Sequence, residues 1–245
     1  MCGLLASINL LHGKPRLDSA LLSMSHRGPD TLCSHHLDNV YLGHVRLSII
    51  EDDVRSSQPL SSPSGRYIIL FNGEIYNFND LSERYLRKRS RSDTTLIASL
   101  YELIGTRIFS LLDGMYAIVV YDRHKRTIVA ARDPNGVKPL YLYEKGNHYT
   151  FCSEVAPLEG LYEDLKYNYI ALAQYIAYRG FFNGLTPYDK IKSFPPGFFW
   201  TSDDKLFVKI NPQPPVPDLL TTVQFCDYLV SAIESRVPKS VDYGG

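Results

Sequence analysis

The sequence predicts an α+β fold in which antiparallel sheets are layered against helices. Three observations lead there. Several short runs, residues 67–71, 115–121, 127–131, 140–143 and 149–152, are rich in β-branched and aromatic side chains. Polar connectors of hairpin type, Asp122-Arg123-His124-Lys125-Arg126 and the turn around Gly146-Asn147, join consecutive runs. Between them lie segments with helical apolar spacing, so strands and helices do not alternate one for one, as a parallel sheet would require.

The elements follow in chain order. Residues 4–9 form a strand that begins beside Cys2, and residues 17–24 form a short helix. Ser25-His26-Arg27-Gly28-Pro29-Asp30-Thr31 is a loop, because Gly-Pro punctuates strongly. Residues 41–50 form a buried strand running into a loop. Residues 67–71 form a central strand that Asn72-Gly73 ends, since Asn-Gly ordinarily turns the chain. A helix then starts near Asn77, capped by Asn or Asp. Residues 86–92 carry Arg87, Lys88, Arg89 and Arg91 and form an exposed connection. A helix extends to Ile104, with Asp93 a candidate N-cap and Gly105 its stop. Residues 108–112 form a short helix. The pattern loosens from about Ala156, with a Tyr- and Ala-rich helix over 167–178 and a small hairpin over 194–210. Pro212-Gln213-Pro214-Pro215-Val216-Pro217 has the composition of a stiff linker. Residues 221–237 form an amphipathic helix.

Composition narrows the functional classes. The 245 residues carry equal numbers of acidic and basic side chains, 26 of each, which argues against a general nucleic-acid or anionic-membrane binder. No apolar run approaches the roughly 18 residues of a membrane span. The apolar start lacks a basic n-region and is interrupted by Asn9 and His12, so it is not read as a signal peptide. Cys2, Cys33, Cys152 and Cys226 are widely spaced without a CxxC pair. That pattern predicts neither structural zinc nor a disulfide framework, and it fits a reducing, cytoplasmic setting. His35-His36 are adjacent and would face opposite ways on a strand, so no metal site is expected.

Four places carry chemistry. Removal of Met1 would leave Cys2 with a thiol and a free α-amine, whose ordinary pKa values of about 8.5 and about 7.7–8.0 allow proton exchange near neutrality. The thiolate is the attacking species, and an N-terminal residue can use its own amine as base. Taken alone the dipeptide is also consistent with chance. Arg46 interrupts an apolar stretch; a buried guanidinium needs a partner, either a protein acid or the carboxylate of a ligand held by its planar fork. Asn72, Gly73 and Glu74 bring together a side-chain amide, a glycine N–H that an oxygen can approach closely, and a carboxylate, which are the parts of an oxyanion hole. Asp93 is a second carboxylate beside a helix start.

In order along the chain stand Cys2-Gly3, His26-Arg27-Gly28-Pro29-Asp30, Gly43-His44-Val45-Arg46-Leu47-Ser48-Ile49, Phe71-Asn72-Gly73-Glu74-Ile75-Tyr76-Asn77, Ser92-Asp93-Thr94, Leu112-Asp113-Gly114-Met115 and residues 132–141. This series resembles the class II glutamine amidotransferase domain of the glutamine-hydrolysing asparagine synthetases, strongly over residues 2–155 and more weakly beyond, including Phe194-Pro195-Pro196-Gly197. The resemblance implies a four-layer αββα sandwich of two antiparallel sheets, the N-terminal-nucleophile hydrolase fold, and hydrolysis of glutamine to glutamate and ammonia. Carried onto this sequence, it makes Cys2 the nucleophile and its amine the proton shuttle. Asn72 and the Gly73 N–H become the oxyanion donors. Arg46 becomes the grip on the substrate carboxylate, with Leu47, Ser48, Ile49 and Ile50 lining that side. Glu74 and Asp93 receive the ammonium.

The resemblance also divides the chain into a glutaminase core over 2–155, an extension of that domain over 156–211, and a linker with the first helix of a synthetase domain over 212–245. The family's Ser-Gly-Gly-x-Asp-Ser pyrophosphate loop is not matched by Tyr243-Gly244-Gly245. This polypeptide by itself is therefore not expected to adenylate aspartate. It needs no cofactor of its own, and ATP and Mg2+ belong to the synthetase part. Expected partners are glutamine, a synthetase domain or subunit, and a second copy in a homodimer, with neither nucleic acid nor membrane. Two alternatives stay open: amidation of another carboxylate acceptor, and a non-catalytic glutamine-binding or assembly subunit.

Overall fold

The structure is a computed structural model that describes residues 2–47, 57–90, 92–210, 221–234 and 236. Among the described residues, twelve strands form two six-stranded sheets. The first contains β1 (Gly3–Ile8), β2 (Thr31–Leu37), β3 (Val40–Arg46), β8 (Tyr141–Lys145), β9 (His148–Cys152) and β10 (Ile191–Ser193), in the order β10-β8-β9-β1-β3-β2. The second contains β4 (Leu60–Ser61), β5 (Tyr67–Ile75), β6 (Gly114–Asp122), β7 (Thr127–Arg132), β11 (Phe198–Thr201) and β12 (Phe207–Lys209), in the order β12-β11-β7-β6-β5-β4. The strand pairs are antiparallel. The helices are α1 (Lys14–Leu22), α2 (Phe78–Leu81), α3 (Asp93–Ile104), α4 (Val155–Leu161), α5 (Tyr169–Tyr178) and α6 (Thr222–Glu234).

Period-two alternation along the strands sorts their side chains into three apolar layers. Leu4, Ala6, Val40 and Leu42 from the first sheet meet Ile68, Leu70, Ala117 and Val119 from the second. Their neighbours point outward. Leu5, Tyr41 and Val45 pack on Leu17 and Leu21 of α1 and Leu158 and Leu161 of α4. Ile69, Phe71 and Ile118 pack on Leu96, Ile97 and Leu100 of α3. Three cores between four layers make the αββα sandwich. Complete burial of such a side chain contributes about 1.5–3 kcal/mol.

The structure corrects several local readings. Asn72-Gly73-Glu74 is not a loop: β5 runs on through Ile75, each residue paired with β6. The turn signal loses because glycine on each strand lets the backbones close up. A Cβ on Gly73 would sit 2.1 Å from the Met115 carbonyl oxygen, and one on Gly114 would sit 2.3 Å from that of Glu74. Asn77 does not cap α2; its side-chain amide donates to the Leu111 carbonyl and its oxygen accepts from the Asp113 N–H. The cap of α3 is Ser92, which accepts from the Thr95 N–H at 3.2 Å, and Asp93 is the first helical residue. Edge strand β2 lacks a clean alternation, and α4 is too short and too interrupted by Pro157 and Gly160 to show a helical period; neither is visible in the sequence. Residues 191–209 supply β10 to one sheet and the β11–β12 pair to the other, so they are woven into the sandwich. The Pro-rich linker lies outside the described residues.

Candidate active site

The alternation that builds the inner core also assembles one end of it. Counting on from Ala6 and Leu4 on β1 puts Cys2 on the inner face; counting on from Val40 and Leu42 on β3 adds His44 and Arg46. The β1–β3 register pairs Gly3 with Val45 and Leu4 with His44, so Cys2 stands level with Arg46. In the facing sheet, Ile68 and Leu70 continue to Asn72 and Glu74 on the same inner side. The two ends are tied together where the His44 ring Nε2 meets the Phe71 carbonyl at 3.2 Å, one residue before Asn72.

Cys2 is half-buried, and its Sγ lies 3.9 Å from the Leu47 carbonyl. Its own carbonyl accepts a hydrogen bond from Arg27 Nε at 3.0 Å. Arg27 Nη1 in turn pairs with Glu154 at 2.8 Å, and His26 contacts the same carboxylate oxygen. Burial raises the Glu154 carboxyl, but hydrogen bonds from Arg27 and then His26 outweigh it and hold it below its ordinary pKa. The 25-residue step from Cys2 to Arg27 is closed by the short helical turn Ser25–Arg27 and by Gly28, where a Cβ would lie 2.5 Å from the Arg46 nitrogen. That close approach allows the bridge between Pro29 and Arg46.

Asn72 is 2 % exposed, and its Nδ2 has no hydrogen-bond partner among the described residues. A buried amide donor left in that state costs about 1–3 kcal/mol, an expense natural structures carry chiefly at functional sites. Gly73 has the same parity on β5 as Phe71, whose N–H and C=O face the β4 side; the Gly73 N–H therefore points to that side, beyond the last β4 pair, Leu60 with Ile69.

Glu74 is exposed at the end of β5. Asp93 faces it from the start of α3, accepting hydrogen bonds from the Thr94 N–H at 2.7 Å and from the Ile75 N–H. Burial drives the Asp93 pKa up to about 6; the two amides pull it down, and the Glu74 charge adds to the rise. Burial likewise pushes His44 down to about 4, against the pull of the Phe71 carbonyl and with the Arg46 charge assisting, so the ring is neutral near pH 7.

Of the sequence candidates, Cys2, Arg46, Leu47, Asn72, Gly73, Glu74 and Asp93 gather at this end. Ser48, Ile49 and Ile50 lie outside the described residues. Arg27 and Glu154 hold the backbone of Cys2, and no role for either was legible in the sequence beyond an arginine inside a Gly-Pro turn. Among the described residues no cluster of three or more His, Cys, Asp or Glu is arranged to hold a metal ion, and no helix is long and apolar enough to cross a membrane.

A sandwich of two antiparallel sheets between helices, with a cysteine immediately ahead of its first strand at the open end, is the architecture of an N-terminal-nucleophile hydrolase. The chain belongs to the glutamine amidotransferase domain family, which matches residues 1–210. It is 38% identical over 148 residues to asparagine synthetase [glutamine-hydrolyzing] 2 of Arabidopsis thaliana, covering 58% of this chain and 25% of that protein. It is 35% identical over 158 residues to asparagine synthetase [glutamine-hydrolyzing] 1 of Bacillus subtilis, covering 63% of this chain and 25% of that protein. The chain thus spans about a quarter of the length of these curated relatives. Among solved structures, glutamine phosphoribosylpyrophosphate amidotransferase from B. subtilis aligns with a TM-score of 0.61 at 19% identity, over 85% of this chain and 49% of that one.

Proposed function

We propose that this chain hydrolyses glutamine to glutamate and ammonia, and that the ammonia serves ATP-dependent amidation of aspartate by a synthetase part. The observation that carries the reading is the convergence at one end of the sandwich of a thiol and a guanidinium from the first sheet, an orphaned buried amide and a carboxylate from the facing sheet, and a second carboxylate from the start of α3. A zwitterionic amino acid asks for that set. Arg46 takes the α-carboxylate, with Leu47 beside it, and Glu74 with Asp93 takes the α-ammonium. The side-chain amide carbon then lies before Cys2.

After removal of Met1, the Cys2 amine accepts the thiol proton as sulfur attacks, and returns it to the departing nitrogen. Ammonia leaves and a thioester remains. Water, deprotonated by the same amine, then releases glutamate. Asn72 Nδ2 and the Gly73 N–H stabilise the oxyanion in both halves; loss of one such donor typically costs about 3–4 kcal/mol in the transition state.

This chemistry calls for no cofactor in the chain, and ATP with Mg2+ falls to the synthetase part. Homodimerisation and a cytoplasmic location complete the proposal. Four free cysteines, Cys2 among them, suit a reducing compartment.

Glutamate release measured on protein whose intact mass shows Cys2 as the first residue tests the reading. Cys2→Ala is expected to abolish release, and undiminished release by that variant would overturn the assignment.

A further inference from the structure

The peptide group that precedes Asn72 is held from three directions. Edge strand β4 pairs with β5 only at Leu60–Ile69 and Ser61–Ile68. The next β5 residue facing that side is Phe71, and among the described residues no strand meets it. The Gln58 side chain stands in for one. Its Oε1 accepts from the Phe71 N–H, and its Nε2 donates to the Phe71 carbonyl at 3.0 Å. A primary amide sets an NH2 donor beside a carbonyl acceptor, as neighbouring peptide groups of a strand do, so it satisfies both groups at once. From the opposite sheet, the His44 ring occupies the second lone pair of the same carbonyl at 3.2 Å. Because that oxygen can only accept, His44 carries its proton on Nε2. Gln58 and His44 are 7 % and 2 % exposed. On its other side the strand is held by β6, through the pairing of Asn72 with Ala117.

We propose that His44 and Gln58 are positioning residues that clamp the Phe71–Asn72 peptide plane and thereby aim the Asn72 amide at the reacting carbon. The carbonyl they grip belongs to the same rigid peptide group as the Asn72 nitrogen. Fixing its plane from two sheets, while the β6 pairing holds Asn72 itself in extended backbone, sets the direction of the Asn72 Cα–Cβ bond. A packing role alone would not call for a doubly accepted carbonyl next to an amide donor that has no partner of its own. The inference rests on the oxyanion role proposed for Asn72, and it adds residues that touch neither substrate nor sulfur.

Since oxyanion stabilisation acts in the transition state, slackening the clamp should lower kcat and spare KM. His44→Ala and Gln58→Leu are each expected to reduce kcat about ten- to hundredfold, the scale of a misplacement near 1 Å, with KM for glutamine within about twofold. His44→Gln, which keeps an N–H donor, should recover most of the loss. A parallel measurement needs no turnover: in a Cys2→Ala background, the 15N side-chain amide resonances of Asn72, assigned with Asn72→Asp, should shift or broaden in His44→Ala and return in His44→Gln. Unchanged kcat in both clamp variants, a loss confined to KM, or unmoved Asn72 amide resonances would each overturn the proposal. Should the parent chain release no glutamate, the glutaminase reading fails by itself, and the amide resonances still decide whether the clamp exists. Should these variants be too unstable to assay, His44→Phe, which keeps a ring in the site and lacks the N–H, is measured in their place with the same expected and overturning outcomes.

Discussion

Asp93 and His44 give the molecule two opposed proton affinities. The folded Asp93 carboxyl keeps its proton up to about pH 6, against 3.8 for the ordinary side chain, so the folded state binds the extra proton and stability declines as pH rises through that interval. His44 falls to about 4 from 6.5, so the unfolded state binds the extra proton and stability declines as pH drops through its interval. Each effect amounts to about 3 kcal/mol, and between pH 4 and 6 they largely cancel. Asp93→Asn is therefore expected to make stability fall more steeply than in the parent as pH is lowered from 6.5 to 4, read by denaturant unfolding at several pH values. On the proposed substrate pose, glutamine's ammonium favours the ionised carboxylate. Affinity should then weaken below about pH 6, with proton release on binding, which calorimetry on Cys2→Ala would register. Arg27→Ala leaves Glu154 without its nearest cation and the Cys2 carbonyl without its donor; a stability loss of about 2 kcal/mol with a larger fall in glutamate release is expected.

What the sequence made legible at this scale was chemistry displayed on side chains. A thiol at position 2, a lone arginine in an apolar strand and carboxylates near a glycine advertise themselves. Arg27, His44 and Gln58 do their work on backbone carbonyls of Cys2 and Phe71. A carbonyl has no letter, so residues that serve one leave no pattern in composition or spacing.

Among elements, β5 decides the geometry. Reading Asn72-Gly73 as a turn put the proposed oxyanion donors on a loop, where their directions would be loosely set. Extension of β5 to Ile75 places them on a central strand with fixed register. The misreading has a physical cause. Asn-Gly favours a turn only when nothing pairs with it, and Gly114 on β6 supplies the clearance that lets pairing continue. Gly73→Ala should therefore damage fold and activity together, because its Cβ would strike the Met115 backbone rather than a yielding side chain; several kcal/mol of destabilisation is expected by chemical unfolding. The layered α+β character and most strands were readable from β-branched runs and hairpin turns. Strands β2, β4 and β10 and helix α4 were not, since an edge strand or a seven-residue helix buries too little to impose a period.

For the whole molecule, the three cores draw their buried side chains from residues up to Ile210, where the family match also ends. Among the described residues of α6 none is buried, and Phe225, Leu229 and Ile233 stand open. A chain ending at Ile210 is thus expected to unfold within about 0.5 kcal/mol of the parent, as measured by denaturant titration.

The strand order has a consequence for folding. β1 finds its neighbours in β3 and in β9, the latter some 140 positions further along the chain, and the first sheet is finished only by β10. Long-range pairings of this kind form late. The strand that follows Cys2 is thus paired on both sides only once β9 has folded, and until the sandwich closes around it the thiol lacks the neighbours of its working site.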